Sequence, residues 1–287
     1  MEVTLVLAAG GVAAGVFGAL LGLGGGILIV PFLTLAVGLP VREAVGVSLV
    51  CVIVTSGAAA GVYLQRRVAN LRLGMFLELF TATGALVGGL AAFLLPEPVL
   101  AGLFAMLLLY TAASMLPRPA DPPSPDDAPA APVSGLAVVT ETPADASVTT
   151  AGDWRAALSG PGYRVHDLGL GVAGSLVAGV VSALLGIGGG IIKVPLMHLA
   201  MGVPLRAATA TSNLMIGVTA SASAIIYLLR GGIDPFVAGP TALGVFIGAT
   251  VGSRTAQHVD VRILRILFVI VLLYTAAAMA RRALGAA

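Results

Sequence analysis

Between Val3 and Gly38 the chain carries no charged side chain. As one continuous helix this run would be about 52 Å long, well beyond the roughly 30 Å hydrocarbon core of a bilayer. It has to break, and the glycines between Gly22 and Gly26 mark the place, because glycine is a poor helix-interior residue. The expectation is two helical arms joined at the glycines. A second such run, Leu168 to Gly202, holds Gly186-Ile187-Gly188-Gly189-Gly190-Ile191-Ile192-Lys193-Val194-Pro195. It repeats Gly22-Leu23-Gly24-Gly25-Gly26-Ile27-Leu28-Ile29-Val30-Pro31 at a separation of 164 residues. Lys193, the single lysine among 15 basic residues, falls opposite Ile29.

The rest of the chain agrees with a membrane location. It is 58% hydrophobic and 10% charged, with mean hydropathy +1.05, where soluble domains are about a quarter charged. Apolar segments at Ala44–Gln65, Leu73–Leu95 and Val99–Leu116 can each cross a bilayer, as can Ala208–Leu229, Phe236–Gly252 and Val261–Ala280. The net charge of +2 gives no reason to expect a nucleic-acid partner. The one cysteine, Cys51, excludes an intrachain disulfide and any multi-cysteine metal site. Glu2 with no basic residue before Arg42 lacks the positive start of a cleaved signal, so the first segment is expected to remain.

Residues 117–167 differ. Nine of the 17 prolines lie between Pro117 and Pro161 and six of 13 acidic residues between Asp121 and Asp153, so this stretch reads as a flexible linker. Trp154 to Val165 has the aromatic residues for resting at the bilayer surface. The expected units are a transmembrane repeat over 1–116, the linker over 117–167, and a second transmembrane repeat over 168–287. Between 15–50 and 179–214, 19 of 36 positions are identical, and the match reaches Tyr110-Thr111-Ala112-Ala113 with Tyr274-Thr275-Ala276-Ala277. Duplicated halves with paired broken helices mark secondary transporters.

Charge suggests how the halves lie. One loop carries Arg66, Arg67 and Arg72 in the first half, but Arg230 with Asp234 in the second. The next carries Glu97 in the first half, but Arg254, Arg262 and Arg265 in the second. The basic bias changes loops, as it does when one half is upside down. The fold class expected is an all-α polytopic protein of the inner (plasma) membrane. It has two homologous repeats in inverted topology, each a glycine-broken hairpin plus three transmembrane helices. Residues 66–72, the linker and residues 254–265 then share the cytoplasmic face, with Arg281 and Arg282 counting against this arrangement.

These residues resemble the sulfite exporter TauE/SafE family of membrane permeases. The resemblance rests on the paired Gly-x-Gly-Gly-Gly-x-x-x-Val-Pro motif, at Gly22, Gly24, Gly25, Gly26, Val30 and Pro31, and at Gly186, Gly188, Gly189, Gly190, Val194 and Pro195. A Gly-x-Pro turn follows each, Gly38–Pro40 and Gly202–Pro204, and Thr211-Ser212-Asn213 looks like the family's Thr-Ser segment, where the first half keeps only Ser48. The resemblance implies movement of small anions, often sulfur-containing, such as sulfite and organosulfonates.

The site expected from this lies between the two glycine breaks. Unwound backbone at membrane depth is tolerated where it lines a cavity or is buried in protein, and the helix starts at Gly24, Gly25 and Gly26 and at Gly188, Gly189 and Gly190 offer N–H groups to an anion. Close helix packing alone would use the same glycines. Ser48, Thr55, Ser56, Thr211, Ser212, Thr219 and Asn213 offer hydroxyl and amide donors, or bond their own helices. Lys193 is the candidate fixed positive charge; the alternative is that it snorkels or pairs with a carboxylate such as Glu78. Glu78, an acidic residue well inside an apolar segment, is a candidate for proton coupling. His166, His198 and His258 lack a second ligand at metal spacing, and no nucleophile–base pair suggests catalysis. The leading reading is a secondary transporter, an exporter of small anions, working by alternating access and needing no cofactor. The alternative is a channel-like or scaffold membrane protein. Expected partners are the anionic substrate and the lipid bilayer, with a homodimer left open and no nucleic acid.

Overall fold

A computed structural model describes residues 2–21, 26–65, 69–115, 158–159, 163–255 and 261–284. Among these the chain is helical: α1 (Glu2–Leu21), α2 (Gly26–Leu35), α3 (Val41–Gln65), α4 (Leu71–Leu94), α5 (Glu97–Met115), α6 (Leu168–Leu185), α7 (Gly190–Pro195), α8 (Leu205–Leu229), α9 (Pro235–Thr255) and α10 (Val261–Ala283). Six of them, α4, α5, α6, α8, α9 and α10, are long and apolar enough to cross a membrane. Their outer faces carry exposed Leu79, Leu86, Leu90, Leu94, Leu229 and Phe236, as a lipid-facing surface requires. Gly24, Gly25, Arg66, Arg67, Trp154 and linker residues 117–157 lie outside the described residues.

The helices pair across the halves. α1 packs on α9 and α4 on α6, while α3 packs on α8 and α5 on α10. Exchanging the halves turns α1·α9 into α6·α4 and leaves the other two pairs unchanged. Glycine sets the first two contacts. A Cβ on Gly84 or Gly88 of α4 would overlap the backbone of Leu176 or Val180 in α6, and one on Gly179 would overlap the Thr81 carbonyl. The equivalent glycines Gly15 and Gly248 stand in the same relation to the Val245 and Val12 carbonyls between α1 and α9. Rising numbers meet rising numbers in both, so the partners run parallel. α3 and α8 run antiparallel: Gly46 lies against the Gly232 carbonyl, and further along α3 the Ser56 hydroxyl donates to the Asn213 carbonyl at 2.6 Å.

The second break needs glycine for a conformational reason. Gly186, Gly188 and Gly189 have φ of 70°, 76° and 75°, a left-handed backbone that side chains with a Cβ rarely adopt. The Gly186 N–H still closes onto the Ser182 carbonyl at 2.8 Å, ending α6, and the Lys193 N–H finds the Gly189 carbonyl at 3.0 Å, starting α7. Pro195 then supplies no N–H, and the chain widens into a π turn over Leu196–Ala200. The Met201 N–H closes that turn on the Leu196 carbonyl at 3.2 Å.

The end of the linker joins the fold. Leu158 is buried with Leu73, Leu77, Met197, Met201 and Met215 in an apolar layer beside the start of α4. Asn70 secures it, donating from Nδ2 to the Leu158 carbonyl at 2.8 Å and to Tyr163 Oη at 2.9 Å. Its Oδ1 accepts from the Leu73 N–H at 3.1 Å, capping α4. Leu158 and Tyr163 are thus held by protein contacts rather than by an interfacial resting place alone.

Candidate functional site

Lys193 stands one turn past the second break, and the fold carries it inward. Its Nζ donates to Thr219 Oγ1 on α8 at 2.6 Å and to Glu78 Oε2 on α4 at 3.2 Å. Thr219 donates in turn to Glu78 Oε1 at 2.6 Å, with the Met215 carbonyl 3.0 Å away as a second acceptor. Ammonium, hydroxyl and carboxylate therefore form a closed ring, with exposures of 1%, 0% and 7%. A lone ammonium or carboxylate at such a place costs several kcal/mol, about 3–5 kcal/mol when one partner of a buried pair is removed. Pairing with Glu78 is thus the position the structure gives Lys193 in this state. Among the described residues, Lys193 is the charged group facing Glu78.

The remaining candidates divide into three groups. Gly189 and Gly190 adjoin the ring: a Cβ at Gly189 would lie 3.5 Å from Lys193 Cε and 3.3 Å from Ser182 Cβ, and one at Gly190 would lie 3.7 Å from Ser212 Oγ. Gly188 packs against Ile216 and Val52. Ser48 ties the two breaks together, donating to the carbonyls of Gly186 at 2.7 Å and Gly26 at 3.2 Å. The others bond elsewhere. Thr211 Oγ1 accepts from the Asn70 N–H at 2.9 Å, while Asn213 Nδ2 donates to the Thr209 carbonyl at 3.1 Å and Thr55 to the Val52 carbonyl at 3.1 Å, both within their own helices. His198 Nδ1 lies 2.9 Å from the Val203 carbonyl, and among the described residues no cluster of His, Cys, Asp or Glu is placed to hold a metal.

Two residues of α6 were not singled out from the sequence: Ser182, beside the break, and Ser175, two turns earlier. Their hydroxyls, like that of Ser212, are buried without a hydrogen-bond partner. Both stand opposite glycines in the first half, Gly11 and Gly18, so the repeat alignment holds the available signal.

The arrangement is that of a polar, charge-balanced centre enclosed by apolar helices. The chain is similar to "Probable membrane transporter protein YunE" of Bacillus subtilis (strain 168), 23% identical over 278 residues, 94% of each chain. It is also similar to "Sulfite exporter TauE/SafE family protein 1" of Arabidopsis thaliana, 38% identical over 101 residues, 35% of this chain and 22% of that relative. No solved structure matches. The sulfite exporter TauE/SafE profile covers residues 7–279, from α1 to near the end of α10, and the chain belongs to that family of membrane transporters.

Proposed function

We propose that this transporter exports small sulfur-containing anions, sulfite or organosulfonates, by alternating access, with the anion held between the two glycine-broken hairpins on the ammonium of Lys193. The buried Lys193–Glu78 pair beside the break carries the reading. A single cation in an apolar interior attracts an anion strongly, and here a carboxylate occupies it. Uptake of a proton by Glu78 leaves the ammonium free for the substrate's negative charge. A monovalent anion then crosses with one proton as an electroneutral load, driven outward by its own gradient. The antiparallel run of α3 with α8, and the parallel runs of α1 with α9 and α4 with α6, support inverted halves able to rock about the centre.

Efflux from proteoliposomes tests this. Methanesulfonate is a suitable probe because its own charge does not change with pH. Its binding should strengthen as pH falls, since the proton on Glu78 releases Lys193. Glu78→Gln should make binding independent of pH, and an imposed membrane voltage should leave wild-type efflux unchanged. Voltage-driven methanesulfonate flux that is blind to pH would rule out coupling through Glu78.

A further inference from the structure

Among the described residues, most helix hydroxyls bond back to a carbonyl one turn earlier. Thr81 does so to Leu77 at 2.9 Å, Ser221 to Gly217 at 2.8 Å and Ser223 to Thr219 at 3.1 Å. This local bond is nearly always within reach of a helical serine. Ser182 and Ser212 do not make it, although their exposures are 0% and 1%. A hydroxyl buried without a partner loses its hydration with no bond to replace it, so the fold bears that cost twice within one small region.

The contrast between the repeats sharpens the point. Ser48, the first-half equivalent of Ser212, bonds to both Gly186 and Gly26 carbonyls. Ser212 itself is unpartnered. Ser182 stands where the first half has Gly18, just as Lys193 stands where it has Ile29. The second break has therefore gained an ammonium and a free hydroxyl, and has left a second hydroxyl unspent. These groups come from three different elements: Ser182 from α6, Lys193 from α7 and Ser212 from α8. They gather around the consecutive residues Gly189 and Gly190, at the distances given above.

We propose that the hydroxyls of Ser182 and Ser212 are ligands to the oxygens of an oxyanion whose charge Lys193 carries, and that these two serines set the preference for a three-oxygen head group. The proposal rests on Lys193 being the anion's charge partner. Three donors carried on three helices equal in number the three oxygens of sulfite or a sulfonate; a carboxylate has two. Bound substrate satisfies both hydroxyls, so their cost in the empty protein becomes affinity on binding.

The test is anion-dependent thermal stabilisation of the purified full chain with sulfite, methanesulfonate and acetate. Wild-type protein should be stabilised by sulfite and methanesulfonate at lower concentrations than by acetate. Ser182→Ala and Ser212→Ala should each weaken the two sulfur oxyanions about tenfold or more, the worth of a hydrogen bond to a charged group. Neither should lower the melting temperature of the empty protein, because alanine favours the helix and removes an unpartnered hydroxyl. Should Ser182→Ala misfold, Ser182→Gly restores the first-half residue and gives the same readout. Unchanged oxyanion affinity in the double alanine variant, with affinity lost in Lys193→Met/Glu78→Gln, overturns the serine assignment and leaves the lysine. A wild-type protein that responds to neither sulfur oxyanion removes the functional reading, and the serine assignment with it.

Discussion

A lysine and a glutamate buried together cannot be removed one at a time without consequence. From the sequence, Lys193→Met looks like a clean substitution, since Ile29 shows that the repeat can be built without the charge. The structure changes that expectation, because the variant strands Glu78 against Thr219. Lys193→Met should destabilise the protein by about 3–5 kcal/mol, and adding Glu78→Gln should restore much of the loss. Denaturation in mixed micelles, taken round the double-mutant cycle, measures this; simple additivity of the two changes would mean the pair is not coupled. Both residues were legible as lone charges in apolar runs. Their meeting was not, for they lie 115 residues apart on different helices, and helical spacing relates only neighbours on one helix. Thr219 was legible as one hydroxyl among several, whereas Ser182 sits in a run of small residues where packing explains a serine equally well.

Helix positions were the most legible part of the fold, because glycine breaks and charge-free length both act locally, whereas the pairing of helices across the halves was not read from the sequence. The segments expected from hydropathy reappear with ends shifted by a few residues; α1 ends at Leu21 and α2 begins at Gly26, and Gly22 to Gly25 of the expected Gly22–Gly26 break lie outside the described residues. The π turn after Pro195 was not legible, since it depends on which carbonyl accepts from Met201 once the proline N–H is missing. The glycines do not all matter alike. Gly179→Val forces a side chain into the Thr81 carbonyl and should cost about 1–3 kcal/mol or disrupt the α4–α6 contact altogether. Gly239→Ala on α9 meets nothing within 4 Å and should be neutral or stabilising by roughly 0.5–1 kcal/mol. Melting temperatures of the two variants, side by side, decide whether packing or backbone freedom is the reason for each glycine. Asn70→Ala removes a helix cap and two tertiary hydrogen bonds together, and should lower stability by about 1–3 kcal/mol while exposing the 158–163 segment to protease.

At the scale of the molecule, the duplicated fold offers two equivalent centres and charges only one. Ile29 and Ala242 stand where Lys193 and Glu78 stand in the other centre, so the pseudo-symmetric halves make one polar site rather than two. Orientation in the bilayer follows from joining direction to charge. The antiparallel run of α3 and α8 supports the proposed inverted halves, in which equivalent helices are related by an axis across them rather than along them. On that relation the end of α3 at Gln65 and the end of α9 at Thr255 come to one face. Arg42, which donates to the Ala92 and Leu95 carbonyls at 3.2 and 2.9 Å, belongs with Glu97 at the other. We propose, on the positive-inside tendency, that the first face is cytoplasmic; the linker would then join α5 to α6 on that side. Single cysteines in a Cys51→Ala background report this directly, because Cys51 is buried. On intact cells a membrane-impermeant maleimide should modify Glu97→Cys and spare Ser124→Cys, with both reacting after permeabilisation. Reaction of Ser124→Cys from outside, with Glu97→Cys spared, would place the linker on the outer face and reverse the orientation, and reaction of both from outside would mean that α5 does not cross the membrane.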